Sequence, residues 1–306
     1  MAAEGAAARA DRGRLMSGGA ANVDAVLGFC VLGQTIVFDC DDAAVARLLL
    51  AASPGLRCAD PANPSLRYSV QRAGDPLSFI VSRAGGPTLT GHDAAEFLFL
   101  LEKDLTVELQ HRRPDLLFLH AAALEWQGRA YLLVADSGVG KSTTAWALLH
   151  EGLGYLSDEL APVDLDAMQV LPYPHALCLK AVPDDYALPA EAVDLGATIH
   201  VPPPSLPGGA VHEPTALAAV FILSRPRGTA GAARLRRLGA AEAAARLYTH
   251  TLNALAHRNR GLDAVVRIAE RVPCFAVASG ELRATCALIR AKVENRQASD
   301  YVVSAR

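Results

Sequence analysis

Residues 135–144, ADSGVGKSTT, place two glycines just ahead of a lysine, a serine and two threonines. Those residue types in that order suit a nucleoside triphosphate. Gly138 and Gly140 accept backbone conformations that turn N–H groups inward around a phosphate. Lys141 brings a mobile positive charge for the β- and γ-phosphates, and the Ser142 hydroxyl is placed to ligate Mg²⁺. Asp136, Ser137, Val139 and Thr143 complete the predicted nucleotide-binding stretch. Ala135 stands where the phosphate-loop pattern has glycine. Its methyl group is harmless at negative φ and costly at positive φ.

A second set of chemical groups follows in 154-GYLSDEL-160. Asp158 lies 17 residues after Lys141, at the carboxyl end of the strand that follows the phosphate-loop helix. In a parallel pair that end lies beside the loop, so Asp158 is expected to face the γ-phosphate. Glu159 is expected to point to the opposite side, unless the strand has already ended. A carboxylate here can orient Mg²⁺ or accept a proton from a hydroxyl. His120 ends the apolar run LLFLH. His175 and Lys180, in 171-LPYPHALCLK-180, are candidates to touch phosphate or substrate. Arg225 and Arg227 follow the strand AAVFILS, where an arginine can stabilise transferring charge. His250 and His257 read as packing or surface residues on one helix, without a metal role.

These residues need a scaffold. Arg129–Ala135 is a buried-type strand, 136–140 a turn, and a helix begins at Lys141, with Gly152 as its cap. Strand, glycine-rich turn and helix N-terminus form the setting a phosphate loop requires, because the helix start adds unpaired donors and partial positive charge. After Pro114, strands at 116–120, 130–135, 154–157, 218–223 and 274–278 alternate with helices at 141–151, 240–257, 261–271 and 280–295. That alternation predicts a layered α/β domain.

Ahead of it, residues 23–113 read as a small α+β unit. A strand pair over 25–40 turns at Leu32-Gly33, and Asp41 or Asp42 caps a helix running to Ala52. A Pro-rich loop, strands at 66–71 and 77–82, and a long helix opening at Asp93 complete the unit. The organisation expected is a mobile tail over 1–20, an α+β module over 21–113 and the catalytic domain over 114–306.

Composition narrows the function classes. Of 306 residues, 51% are hydrophobic and 20% charged, which supports a buried core. A net charge of −3 leaves no basic footprint for nucleic acid. Apolar runs such as 131–135 and 218–223 are too short to cross a bilayer. The first twenty residues lack the apolar core of a signal peptide. Six cysteines, with no Cys-x-x-Cys pair, argue against a zinc site or a disulfide framework and point to the cytoplasm.

His120 together with 128-GRAYLLVADSGVGKSTTAWALLHEGLGYLSDE-159 resembles the catalytic domain of the HPr kinase/phosphorylase family and its HprK-like relatives. In that family a His precedes the strand, and an Asp-Asp pair follows the phosphate loop. The intervals of 21 residues from His120 to Lys141 and 17 from Lys141 to Asp158 match. The resemblance implies an α/β P-loop kinase core with a smaller N-terminal α+β module. It implies that Lys141 and Ser142 hold ATP and Mg²⁺, that Asp158 also serves the metal, and that His120 lies near the phosphates. Asp158 and Glu159 match the acidic pair that acts on a substrate serine proton; Glu159 replaces the second Asp, so the base is open between them.

The glycine- and arginine-rich segment associated with phosphorolysis is not recognisable, and the N-terminal half differs from that of the bifunctional enzymes. The chain looks more like HprK-related kinases that modify peptides, including lasso-peptide precursors. The function implied is an ATP- and Mg²⁺-dependent kinase acting on a serine of a peptide or small protein, with a homo-oligomer as the family's habit. The alternatives are a small-molecule kinase, for a free amino acid or sugar, and a non-catalytic ATP-sensing regulator.

Overall fold

The computed structural model describes residues 25–58, 63–74, 78–225 and 233–303, with the side chains of 54 and 296–303 excepted. The tail expected over 1–20 and Arg227 lie outside the described residues. The chain forms two compact units. One takes the chain up to Cys30, Gln34–Leu50 and Arg57–Leu101, and the other takes Val31–Gly33, Ala51–Leu56 and the chain from Glu102 on.

The first sheet has the order β1 (Ala25–Val31), β2 (Gln34–Cys40), β3 (Leu66–Ala73), β4 (Ser78–Arg83), β5 (Leu89–Gly91). Leu32 and Gly33, at φ 50 and 74, make the expected tight turn between β1 and β2. Helix α1 (Ala43–Ala52) connects β2 to the parallel β3. Its first turn is capped by the Asp42 carboxylate, which accepts from the Ala44 N–H at 2.6 Å. Phe38 stacks on Tyr68 with ring centres 5.3 Å apart, and both rings are buried. Helix α2 (Ala94–Arg112) starts where Asp93 accepts from the Glu96 N–H at 2.8 Å.

The second unit holds a nine-stranded sheet. Its strands are β6 (Leu116–Leu119), β7 (Ala121–Trp126), β8 (Arg129–Val134), β9 (Gly154–Ser157), β10 (Ala161–Asp164), β11 (Gln169–Val170), β15 (Thr215–Ser224), β16 (Arg234–Arg237) and β17 (Cys274–Ala278). A separate antiparallel sheet joins β12 (Leu177–Leu179), β14 (Ile199–Val201) and β13 (Val193–Asp194). The large sheet runs β6-β10-β11-β15-β8-β7-β9, with β17 also on β15 and β16 on β17. Strands β8, β15 and β17 are mutually parallel at its centre. The helices are α3 (Lys141–His150), α4 (Ala240–Tyr248), α5 (Leu262–Arg271) and α6 (Leu282–Val303).

Alternation along β8 assembles two cores. Tyr131 and Leu133 pack with Trp146 and Leu149 of α3 and with Ile289 and Val293 of α6. Leu132 and Val134 pack on the opposite face with Leu247 of α4 and with Val265 and Ile268 of α5. A central strand covered on both faces therefore reads as a continuous apolar run.

Two expectations fail here. The sequence AAALEW forms β7, which sequence reasoning missed because alanine is a poor strand former. Gln127 and Gly128, at φ 49 and 77, make the turn from β7 to β8. The helix expected over 240–257 ends at Tyr248. The following segment is recruited as an edge partner of β6: the Leu252 N–H donates to the Phe118 carbonyl at 2.9 Å. Asn253 accepts from the Phe118 N–H at 2.9 Å and donates to the Leu116 carbonyl at 2.8 Å. Satisfying a buried strand backbone outweighs local helix propensity.

Candidate active site

Strand β8 delivers the chain to the loop 135–140, and α3 starts at Lys141. Ala135 is buried and keeps negative φ, so its methyl group joins the core without backbone cost. Gly138 and Gly140 adopt φ 78 and 106, a region L side chains avoid. No side chain caps α3, so its leading N–H groups and its dipole remain available to an anion. Asp136 and Ser137 are exposed, Val139, Ser142 and Thr143 half-buried, and Lys141 is buried.

Asp158 and Glu159 reach this loop by a different route from the one expected. Strand β9 does not pair with β8. Strand β7 lies between them, antiparallel to both. The two antiparallel steps make β9 run the same way as β8, so its carboxyl end returns to the loop end of the sheet. The register pairs Ala121 with Val134, which puts the start of β7, and His120 just before it, at that same end. Three strand termini therefore bring His120, Lys141 and the acidic pair together.

The Lys141 ammonium bonds the Asp158 carboxylate and lies 3.0 Å from Glu159 Oε1. His120 Nε2 is 2.9 Å from Glu159 Oε2. Asp158 is fully buried, whereas the Glu159 side chain is half-exposed. Burial opposes ionisation of Glu159. The hydrogen bond to His120 and the charges of Lys141 and His120 outweigh it and hold the carboxyl well below the usual range. Burial likewise disfavours the Lys141 ammonium, but Asp158 and Glu159 outweigh that cost and raise its pKa.

Strand β9 ends at Ser157, the case in which Glu159 need not face away from Asp158. Past that end Glu159 turns to the same lysine with a left-handed backbone, at φ 70. For a non-glycine residue that conformation costs about 1–2 kcal/mol. Strand alternation does not extend to the two acids, which lie in the bend past β9.

Other predicted contacts divide. Lys180 Nζ lies 3.4 Å from Ser137 Oγ, and Arg225 Nη2 donates to the Gly138 carbonyl at 3.1 Å. His175 does not touch the loop: it is buried, and its Nε2 meets the Asp158 backbone carbonyl. His257 packs on β6, with Nε2 3.1 Å from the Leu116 carbonyl. His250, expected as a packing or surface residue, lies beside the loop: its carbonyl accepts from the His120 N–H at 2.8 Å and its Nε2 lies 3.8 Å from Asp136 Oδ1. Nothing local in the sequence signals that placement, since it follows from the early end of α4.

The side chains fit a nucleotide-borne Mg²⁺. Asp158 Oδ2 is buried without a hydrogen-bond partner among the described residues. No group of three or more His, Cys, Asp or Glu side chains gathers for a metal among the described residues. A Mg²⁺ that arrives with phosphates keeps mostly phosphate and water oxygens, so one carboxylate and one hydroxyl, from Asp158 and Ser142, are sufficient. All six cysteines are free thiols, and among the described residues no helix is long and apolar enough to cross a membrane.

Fold and site define an α/β domain with a glycine-rich loop between a central strand and an uncapped helix, faced by a lysine, two acids and a histidine. No family model matches the chain. It is 36% identical over 81 residues to an HPr kinase/phosphorylase of Lactobacillus delbrueckii subsp. bulgaricus, covering 26% of this chain and 24% of that protein. The match thus spans about a quarter of the relative's length. The solved HPr(Ser) kinase/phosphatase of Coxiella burnetii aligns with 61% of this chain and 94% of its own, at 16% identity and a TM-score of 0.36. Over those 81 residues the chain is similar to an HPr kinase/phosphorylase.

Proposed function

We propose that this protein is an ATP- and Mg²⁺-dependent kinase that transfers the γ-phosphate to a serine hydroxyl of a peptide or small protein in the cytoplasm. The observation that carries the reading is the meeting of His120, Lys141, Asp158 and Glu159 beside an uncapped, glycine-lined helix start. The likeness to an HPr kinase/phosphorylase supports the reaction class.

Lys141 and the leading N–H groups of α3 bind the phosphates. Mg²⁺, held by Ser142 and Asp158, supplies neutralisation of phosphate charge. Asp136, Ser137, Gly138, Val139, Gly140 and Thr143 form the rest of the cradle. Of the two acids, Glu159 is the half-exposed one, so it is the group that takes the proton of an incoming hydroxyl. Lys141 helps hold the Glu159 carboxyl low. When the lysine turns to phosphate, that share of the lowering is removed while the larger one, from His120, stays. His120 fixes the orientation of that carboxylate.

The test is a transfer assay with γ-labelled ATP, Mg²⁺ and a size-fractionated extract of the source organism. Serine-linked label in a peptide or protein fraction is expected with the unmodified protein, and none with Asp158→Asn. Label only in small molecules, or none at all with ATP bound and intact, would overturn the peptide-kinase reading.

A further inference from the structure

Asp158 and Glu159 lie in the bend just past β9, and both side chains reach Lys141. In that bend Glu159 has a left-handed backbone, at φ 70. A strained non-glycine conformation persists only where its surroundings over-determine it. The Lys141 and His120 bonds hold the Glu159 side chain, but something must also hold the backbone.

The group in place is His175. Its side chain is buried, and Nε2 faces the Asp158 carbonyl, the oxygen of the peptide linking the two acids. Facing a carbonyl, Nε2 must carry the proton and donate. Nδ1 is buried without a partner among the described residues, so Nε2 is the ring's one hydrogen-bonding atom there. His175 is itself anchored: its carbonyl accepts from the Tyr155 hydroxyl at 3.0 Å, and Tyr155 belongs to β9, the strand that delivers Asp158. The Tyr173 N–H donates to the Leu156 carbonyl at 2.9 Å, tying the same segment along that strand.

We propose that His175 is a positioning residue, clamping the Asp158–Glu159 peptide in the one backbone arrangement that presents both carboxylates to Lys141. Without its donor the Asp158 carbonyl is buried and unsatisfied. The peptide then rotates to find a partner, and Glu159 relaxes to negative φ and leaves the lysine. The inference deepens the kinase reading and rests on it for its effect on transfer, but the geometric claim stands apart.

The experiment pairs His175→Leu with His175→Gln, whose amide keeps an N–H donor. Crystal structures give the φ of Glu159, and calorimetry with ATP and Mg²⁺ gives affinity. In His175→Leu, φ is expected to turn negative, with transfer reduced on the order of 100-fold and ATP affinity changed by no more than about threefold. His175→Gln is expected to restore both φ and most of the transfer. A left-handed Glu159 in His175→Leu, or unreduced transfer by it, overturns the proposal. If the unmodified protein transfers nothing, the kinase reading falls while the crystal structures still decide the clamp. Should His175→Leu fail to fold, His175→Asn, polar but too short to reach the same carbonyl, takes its place with the same two outcomes.

Discussion

Lys141 and Asp158 form an ion pair inside the protein, with 6% of the lysine side chain and none of the aspartate exposed. A buried pair is weak as a source of stability but costly to break, because the survivor is an uncompensated charge. Lys141→Met is therefore expected to destabilise the protein by about 3–5 kcal/mol. Lys141→Met/Asp158→Asn should recover a large part of that loss. Urea denaturation of the single and double variants completes the cycle, and equal instability of the two would contradict the pairing.

The acids differ in exposure, so their variants should differ in kinetics. Glu159→Gln is expected to lower turnover by about 10²–10⁴-fold with ATP affinity little changed, as removal of a general base does. Asp158→Asn should keep nucleotide binding, lose transfer, and weaken the dependence on Mg²⁺ concentration. Steady-state kinetics with ATP and Mg²⁺ varied independently separates the two.

Arg225 stands just past β15, the parallel neighbour of β8, and donates to the Gly138 carbonyl. A guanidinium beside such a loop is a group that can stabilise charge on a transferred phosphoryl group, and that role is the one its variants test. Arg225→Ala is expected to reduce turnover by about 10–10²-fold, with Arg225→Lys intermediate. Single-turnover transfer measurements check this, and turnover unaffected by Arg225→Ala would confine the residue to loop structure.

His200, on β14, gives a pH signature. Burial lowers its pKa from 6.5 to about 4. Between those values the unfolded chain binds more protons than the folded one, so stability falls as pH drops through that window. The loss is expected to reach no more than about 3 kcal/mol. Urea midpoints from pH 7 to 4.5 should fall less steeply in His200→Gln. Parallel slopes would show that another group carries the acid sensitivity.

The glycine-rich loop was legible because it is written locally. Gly138, Gly140, Lys141 and Ser142 are contiguous, and the apolar run ahead of them specifies the strand that feeds the loop. The intervals to His120 and Asp158 carried the remaining candidates. Less legible was how those candidates meet. Ala121–Trp126 gave no strand signal, yet this strand inserts between β8 and β9 and brings His120 to the loop end of the sheet.

The sequence by itself determined the glycine-rich loop, the helix that opens on it and the alternation of buried strands, since each depends on neighbours a few residues apart. The tertiary structure alone decided that Glu159 faces Lys141, that His175 lies beneath the acidic peptide and that His250 sits beside Asp136. Those relationships depend on a left-handed backbone held from outside and on β6 finding its edge partner in residues 251–253. Such terms join segments far apart in the chain, and no local propensity encodes them.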